Sequence, residues 1–423
     1  MADYISELPD DILGDILSLL TVRESFRVRC LSPRWKDLPD TRFVLQFDAY
    51  NIFGADKNRY GCRTKFVEAV DQFFKIWSAR KTDALKIEFG LGNEYASHVD
   101  GWIATVGGKE VEELDLDFSD HNPSGTREKY VFPCHVMGSG SYLQRLRLGF
   151  CNLTSISDVC TSWLSKLRTI ELTCVTLCSA DIESILSSSL NLESLSLFMC
   201  SLEGYLCVQN PSLKKLVMHE HCQCIELNCP HLEIIDFSGS SDFTFANVAR
   251  LREASFSFNY KIEGSSAVFN DLARNAPRLQ TLFICLTTEV PSLPPSTEMS
   301  SLKRLDLLIR VPMGYDLFTI THFLYACPIL EELLIKLSPK SYSEQSVERE
   351  YVDRPHFHLK EVKIKGLSQR LNPLRLIEYL LRNSVSLLRM VFVGGPQASA
   401  AVSGRSKFIK LQNINPAVDV VVI

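Results

Sequence analysis

The sequence predicts an α/β fold in which a small all-α N-terminal module precedes an irregular repeat solenoid and a C-terminal cap. Three observations predict this architecture. A short apolar pattern recurs roughly every 24 residues between positions 111 and 359. Stretches with helical spacing of apolar residues lie between many of the copies. The first part of the chain contains no copy and instead carries aliphatic side chains on two adjacent faces of a predicted helix.

The N-terminal module opens with LPDDILGDILSLL, residues 8 to 20. Pro9 suits the first turn of a helix because it has no N–H to leave unpaired, and the acidic pair after it suits the positive end of the helix dipole. Behind this pair run two adjacent aliphatic stripes, Ile12–Ile16–Leu19 and Leu13–Leu17–Leu20. One stripe is enough to close a module of this size. The other is therefore expected to face a partner protein.

The short stretch TVRES (21–25) is expected to be a break. The module then continues with FRVRCLSPRWKDL (26–38). The apolar residues of this second stretch follow one another at helical steps of three and four: Val28, Leu31, Trp35 and Leu38. Because Pro33 interrupts the pattern, we expect two short helices here.

Two stretches show the repeat most clearly, LQRLRLGFCNL (143–153) and LESLSLFMCSL (192–202). Both fit the leucine-rich-repeat pattern L-x-x-L-x-L-x-x-N/C-x-L. Weaker copies begin at 111, 167, 213, 232, 251, 279, 302, 330 and 359. The residues three and five places after the first leucine should be buried, whereas those two, four and six places after it should face the concave side. We expect a curved parallel sheet with a helix on the convex side of each repeat.

The concave side is the expected site for a protein target. Most exposed positions of such a sheet are polar, so apolar residues there are informative. Four concave positions carry apolar side chains, Phe198, Phe283, Leu308 and Leu334, and His219 occupies a further one. We hypothesise that these residues form a substrate-binding strip. The alternative is that irregular repeats tuck the side chains against loops.

Composition limits the class of protein. The chain has 423 residues, 46% hydrophobic and 22% charged, which is typical of a folded globular protein. The net charge of −5 gives no electrostatic basis for binding nucleic acid or a membrane surface, so neither partner is expected. The N-terminus shows no secretory signal, and no apolar run is long enough for a membrane span. We therefore expect a protein of the cytoplasm or nucleus with free thiols.

Motifs that suggest chemistry have structural interpretations. HEHCQCIELNCPH (219–231) contains six side chains of the types that bind zinc: His219, His221, Cys222, Cys224, Cys229 and His231. We favour structural thiols and imidazoles, because the Cys-x-Cys spacing differs from zinc motifs and the repeat resumes at 232; a metal site is the alternative. Cys151 and Cys200, eight places after the first leucine of their repeats, are also expected to be structural. We predict no catalytic residues, no metal and no cofactor, and hence no enzyme.

The stretch DYISELPDDILGDILSLL…FRVRCLSPRWKDL closely resembles the F-box, with its Leu-Pro opening, acidic pair and later Leu-Ser-x-Arg-Trp. F-box domains bind the Skp-family adaptor of Skp–cullin–F-box ubiquitin ligases. The resemblance implies that ten residues contact the adaptor or support that surface: Leu8, Pro9, Ile12, Leu13, Ile16, Leu17, Leu20, Val28, Leu31 and Trp35. The chain departs from many plant members at Pro39, where they have tryptophan.

The remainder resembles the plant F-box/leucine-rich-repeat group. Residues 358–393 are similar to its FBD-type C-terminal segment, without the usual acidic residue near the end of the helix. The domain prediction follows from these resemblances. It has an F-box at 1–42, a linker with the first helix and strand units at 43–110, a leucine-rich-repeat solenoid at 111–354 and an FBD-like repeat and cap at 355–423.

This resemblance implies a non-catalytic, substrate-recognition subunit of a Skp–cullin–F-box ligase. Such a subunit binds the Skp adaptor, and through it a cullin, with the F-box, and binds an unidentified protein substrate with the repeats. Two alternatives stay open. One is a small-molecule co-receptor, although the sequence shows no basic cluster like the one that holds a polyphosphate cofactor in hormone-sensing members. The other is an adaptor-bound scaffold outside any ligase.

Overall fold

The structure is a computed structural model. It describes residues 5, 7–38, 44–55, 62–78, 81–119, 127–133, 141–153, 161–200, 202–220, 222–258, 265–286, 298–310, 312–313, 317–338, 340–343, 354–366, 374–393 and 414–422. The chain forms two compact units, Met1–Leu202 and Glu203–Ile423. The first unit contains the N-terminal module and the early repeats, and the second contains the later repeats.

The helices are short. Those of the first unit are α1 (Asp10–Ser18), α2 (Val22–Arg29), α3 (Pro33–Asp37), α4 (Ala49–Phe53), α5 (Arg63–Ile76), α6 (Ala96–Gly107), α7 (Thr161–Leu164) and α8 (Ser179–Ser188). Those of the second unit are α9 (Ser265–Asn275), α10 (Thr321–Ala326) and α11 (Leu374–Asn383). Short 3-10 turns precede α6 and α10, at Asn93–Tyr95 and Leu317–Ile320. Over the described ranges, no helix has the length and apolar character that a membrane crossing requires.

Helices α1 to α3 form the N-terminal module. The two helices predicted around Pro33 are confirmed, but the predicted break at 21–25 is wrong, because α2 already begins at Val22. The reason is a capping box: the Thr21 side chain accepts a hydrogen bond from the Glu24 backbone N–H, and the Glu24 carboxylate accepts one from the Thr21 N–H. This exchange satisfies two N–H groups at the start of α2. The helix therefore begins as soon as α1 has ended.

The strands of the first unit are β1 (Val44–Asp48), β2 (Ala84–Glu88), β3 (Glu113–Asp117), β4 (Tyr130–Val131), β5 (Arg145–Gly149), β6 (Cys151–Asn152), β7 (Thr169–Thr173) and β8 (Ser194–Phe198). Six of them form a parallel ladder in the order β1-β2-β3-β5-β7-β8, and β4 pairs with β6. The register is constant: the residues three places into each repeat are partners across the ladder, as Leu114, Leu146 and Ile170 show.

The strands of the second unit are β9 (Tyr205–Gln209), β10 (Lys215–Glu220), β11 (Cys224–Asn228), β12 (Ile234–Gly239), β13 (Asp242–Asn247), β14 (Glu253–Phe258), β15 (Thr281–Leu286), β16 (Arg304–Ile309), β17 (Pro312–Met313), β18 (Glu332–Leu337), β19 (Lys340–Ser343), β20 (Glu361–Lys365), β21 (Arg389–Val393) and β22 (Asp419–Val422). A parallel ladder runs in the order β10-β12-β14-β15-β16-β18-β20-β21-β22. Strands β13-β11-β9 form a separate three-stranded sheet, and β17 pairs with β19.

The predicted α/β repeat fold is confirmed by these ladders. In every predicted repeat, the residues at the first position and three and five places after it are buried, as in Leu143, Leu146 and Leu148. Cys200, predicted to be structural, is buried, and its thiol lies 3.5 Å from the Leu172 carbonyl oxygen, which accepts its hydrogen bond. Strands β20 to β22 extend the ladder of the second unit through the segment predicted as a cap.

A helix in every repeat is wrong for the segment between β8 and β14. There the layer behind the ladder consists of strands β9, β11 and β13. The reason lies in the repeat length, since the copies at 213, 232 and 251 are roughly 19 residues apart. After the ladder strand and two turns, about five residues remain to cross the repeat. Five residues span roughly 16 Å as a strand but less than 8 Å as a helix.

Candidate docking surfaces

The N-terminal module has an apolar interior that accounts for three of the ten predicted adaptor residues. Leu13, Leu17 and Trp35 are buried and form a cluster with Leu38. Three further predicted residues are half-buried and pack against this cluster: Ile16, Leu20 and Val28. The Leu13–Leu17–Leu20 stripe of α1 therefore closes the module. These side chains support the outer surface from within.

Two of the three residues of the second stripe of α1, Ile12 and Leu19, lie on the outside, whereas Ile16 packs against the inner cluster. Ile12 is 42% exposed and Leu19 is 86% exposed, although Leu19 was absent from the predicted adaptor residues. Leu31, at the turn between α2 and α3, is 79% exposed, and Leu8 and Pro9 are exposed as well. We call Leu8, Ile12, Leu19 and Leu31 the exposed apolar set. Exposed apolar surface of this kind is typical of a protein–protein contact site.

Two arginines fix the geometry of this module. The Arg34 guanidinium donates hydrogen bonds to the Leu8 carbonyl oxygen at 2.6 Å and to the Asp10 carboxylate at 2.9 Å. The buried Arg29 donates to the Trp35 and Leu38 carbonyl oxygens at the end of α3. Arg34 thus ties the chain that carries Leu8 to α3. Sequence reasoning assigned neither arginine a role, although Arg34 is the arginine of the Leu-Ser-x-Arg-Trp motif.

One face of the first unit's ladder carries positions two, four and six of each repeat; we call it the concave face, as the repeat pattern predicts, and it holds ion pairs across strands. The Glu113 carboxylate on β3 forms ion pairs with the Lys86 ammonium on β2, at 2.7 Å, and with the Arg145 guanidinium on β5, at 2.9 Å. Burial acts to raise the pKa of Glu113, but hydrogen bonds and the charge of Lys86, together with Arg145, lower it below its ordinary value. The predicted substrate residue Phe198 lies at the end of β8 in this unit and is half-buried.

The other predicted substrate residues lie on the concave face of the second unit. Phe283 on β15, Leu308 on β16 and Leu334 on β18 are half-buried, and they stand on three successive strands of the ladder. Asp306 is the register partner of both Phe283 and Leu334. Half-burial leaves part of each apolar side chain accessible on this face.

His219 lies apart from this group. It is on β10, in the same row as Leu308 but four strands away along the ladder. The structure therefore brings together three of the five predicted substrate residues. Their role in substrate binding stays a prediction.

Comparison with known proteins agrees with both parts of the chain. The family model described as "At1g61320/AtMIF1, LRR domain" matches residues 78–407, and the F-box domain model matches residues 5–45. The chain belongs to the plant F-box/leucine-rich-repeat family. The match at 5–45 makes the N-terminal module an F-box, and the match at 78–407 covers strands β2 to β21 of the two ladders.

Relatives from Arabidopsis thaliana extend over most of the chain. The putative FBD-associated F-box protein At1g61330 is 23% identical over 91% of this chain and 90% of its own length. The F-box/FBD/LRR-repeat protein At5g56420 is 26% identical over 75% of this chain and 73% of its own. A solved structure, the LRR ectodomain of the plant membrane receptor kinase GASSHO1/SCHENGEN3 from the same organism, is 13% identical with a TM-score of 0.31, covering 81% of this chain and 41% of that chain.

The His/Cys stretch at 219–231 is distributed over two layers of this repeat protein. His219 lies on β10 and Cys224 on β11, which belong to different sheets. The Cys229 thiol donates to the Val208 carbonyl oxygen at 3.3 Å, and burial raises the pKa of this thiol to about 11, which keeps it protonated at neutral pH. His231 hydrogen-bonds to the Pro211 carbonyl oxygen at 2.6 Å.

Burial also raises the pKa of the Cys222 thiol, to about 12. His221 lies outside the described residues. Among the residues that the structure describes, no group of three or more His, Cys, Asp or Glu side chains is arranged to hold a metal ion. Cys222 and Cys229 of this stretch are therefore buried thiols that stay protonated at neutral pH.

Proposed function

We propose that this F-box/leucine-rich-repeat protein is the non-catalytic, substrate-recognition subunit of a Skp–cullin–F-box ubiquitin ligase. The observation that carries the proposal is the exposed apolar set on an F-box whose other apolar stripe is already buried inside the module. The adaptor-facing residues are then Leu8, Ile12, Leu19 and Leu31, with Pro9 beside them. Leu13, Leu17 and Trp35 hold them in place from within.

The exposed area is large enough to matter energetically. Complete burial of one aliphatic side chain contributes roughly 1.5–3 kcal/mol. Ile12, Leu19 and Leu31 retain 42%, 86% and 79% of their accessible surface, so covering them contributes roughly 3–6 kcal/mol in total. This contribution acts against the loss of translational and rotational freedom on association, and a preorganised face reduces the remaining cost of ordering side chains. Arg34 and Arg29 provide that preorganisation.

In this proposal the protein accelerates ubiquitin transfer by proximity. The adaptor links the F-box to a cullin, and the concave face of the repeats holds the target protein so that its lysines remain near the ubiquitin donor. No side chain of this chain takes part in bond making. A ligase subunit of this kind acts in the cytoplasm or nucleus, where we place the protein.

The experiment that tests the proposal compares wild type with an Ile12→Asp/Leu31→Asp double variant expressed in plant cells. Both forms should capture the same proteins through their repeats. Only wild type should co-purify the adaptor and cullin and increase ubiquitin on the captured proteins. If wild type binds the adaptor but brings no cullin and changes no ubiquitin on any captured protein, the chain is an adaptor-bound scaffold. If wild type binds no adaptor, the proposed function is wrong.

A further inference from the structure

We propose that the concave face of the second unit binds a target segment in which aliphatic or aromatic side chains stand beside aspartate or glutamate carboxylates. This inference rests on the proposed function, because it specifies the chemistry of the target. The surface consists of five residues, which we call the concave patch: Phe283, Leu308, Leu334, Lys336 and Lys365. Its members occupy four successive strands of one ladder, β15, β16, β18 and β20.

One half of the concave patch is apolar. Phe283 and Leu334 are both register partners of Asp306, and Leu308 stands two residues further along the same strand as Asp306. Adjacent strands are about 4.8 Å apart, and diagonal neighbours lie roughly 7–8 Å apart, within reach of long side chains. The three half-buried apolar side chains therefore surround Asp306 as one contact area.

The other half of the concave patch is basic. Lys336 is the register partner of Leu308 on one side and of Lys365 on the other. Two like charges directly opposite each other on neighbouring strands repel and lower stability. Within the described part of the chain, neither ammonium group has a carboxylate within ion-pair distance. An anionic ligand would remove this repulsion on binding.

The charges that border the concave patch are already neutralised. Asp306 forms two hydrogen bonds with the Arg304 guanidinium, at 3.0 and 3.1 Å. Lys363, next to Leu334 in register, pairs with Glu361 at 3.0 Å. Among the described residues of these four strands, the uncompensated charge on this face is thus that of Lys336 and Lys365. Charge complementarity selects a ligand that is apolar at one end and negative at the other.

Side-chain type favours carboxylates over phosphoryl groups. Arginine forms paired hydrogen bonds to phosphate oxygens, and clusters of arginine are the usual means of binding phosphorylated motifs. Both cations of the concave patch are lysines, which act as point charges and stand on backbone positions about one strand spacing apart. Two acidic side chains on an extended segment match this arrangement. The proposal therefore commits to unmodified acidic residues.

The test uses the full chain and a displayed library of random 12-residue peptides as the probe. Wild type should enrich peptides that combine Asp or Glu with Leu, Ile, Phe or Tyr. The Lys336→Glu variant creates an opposite-charge pair with Lys365, so its thermal midpoint should be unchanged or higher while the acidic enrichment disappears. Lys215→Glu is the matched control, because Lys215 is an exposed lysine on β10 of the same ladder, and it should select the same peptides as wild type.

A second arm measures binding of one selected peptide by fluorescence anisotropy. In the wild-type protein the acidic residues of the peptide pair with two lysines. Replacing those acidic residues by Asn and Gln should therefore weaken binding about fivefold to tenfold. The Lys336→Glu protein should bind the unchanged peptide more weakly by a similar factor. Leu308→Ser should weaken binding of the acidic peptide and of its amide form alike. Replacement of the acidic residues by phosphoserine should tighten binding by clearly less than tenfold, because lysine offers no paired hydrogen bonds to the phosphate oxygens. A phosphoserine peptide that binds tenfold tighter would overturn the choice of carboxylates.

Failure of this inference can be separated from failure of the proposed function. Adaptor binding is measured for the same proteins and depends on the F-box of the first unit. Three outcomes would overturn the inference alone if adaptor binding stays intact. These are selected peptides that lack acidic enrichment, the selection of no peptide at all, and acidic enrichment that survives Lys336→Glu. A wild-type protein that binds no adaptor would instead refute the proposed function.

Discussion

Leu17 and Leu31 offer the same substitution to alanine in two different surroundings of the F-box. Leu17 is fully buried in the core of the module, and Leu31 is 79% exposed. Leu17→Ala should destabilise the module by roughly 2–5 kcal/mol, because it removes buried methyl groups and leaves a cavity. A module this small has a stability of only about 3–5 kcal/mol, so much of it should unfold. Leu31→Ala should change stability by less than about 0.5 kcal/mol.

The effects on adaptor binding should be different in kind. Leu31→Ala removes roughly 1–2 kcal/mol of burial at the interface, which corresponds to a loss of affinity of about 5- to 30-fold. Leu17→Ala should also weaken binding, but through unfolding. Hydrogen exchange of the segment 10–29 measures the stability of the module, and calorimetric titration with the adaptor measures affinity. If Leu31→Ala retains wild-type affinity, or loses protection from exchange as Leu17→Ala does, the assignment of inner and outer stripes is wrong.

Two further predictions concern the second unit. Burial lowers the pKa of His356 to about 4, so the unfolded chain binds a proton between about pH 6.5 and pH 4 that the folded chain does not, and stability should fall by roughly 3 kcal/mol as the pH drops through that range. His356→Gln, which can keep the hydrogen bond to the Tyr379 hydroxyl, should abolish this part of the pH dependence in denaturant titrations, and an unchanged slope would contradict the assignment. Gly239→Ala should destabilise the second unit by about 1–3 kcal/mol, because a Cβ at this position collides with the Glu220 carbonyl oxygen. The control is Gly101→Ala on α6 of the first unit, which meets open space and should be neutral or stabilising by up to about 1 kcal/mol. Equal losses of stability in the two variants would refute the proposed clash at Gly239.

Much of the repeat fold could be predicted because its pattern is local. The spacing of leucines determines which side chains are buried, and Leu146 and Leu148 follow it as do their counterparts in later repeats. Strand β2 was harder to find because its repeat begins with Thr82, a buried threonine, where the pattern has leucine. The convex strands β9 and β13 were missed although the 19-residue spacing contained the signal. The capping box at Thr21 and Glu24 was also visible in the sequence.

The candidate sites were predictable only in part. Periodicity showed that α1 has two apolar stripes, but which stripe is buried depends on how α2 and α3 pack, and Leu19 was therefore missed. Lys336 and Lys365 each lie six places after the first residue of their copies, at 330 and 359, so the alignment of the repeats contained this pairing, which the constant register of the ladder then produces. Arg29 could not be found from pattern at all. Its role arises because the end of α3 folds back over its guanidinium.

The central claim is that the F-box docks on a Skp-family adaptor through the outer stripe. Hydrogen exchange of the full chain with and without a purified adaptor tests this claim most directly. We predict increased protection in the segments 8–20 and 28–38, and unchanged exchange in strands β10 to β22 of the second unit. Protection confined to the repeats, or a stable adaptor complex in which 8–20 exchanges as in the free chain, would contradict the account.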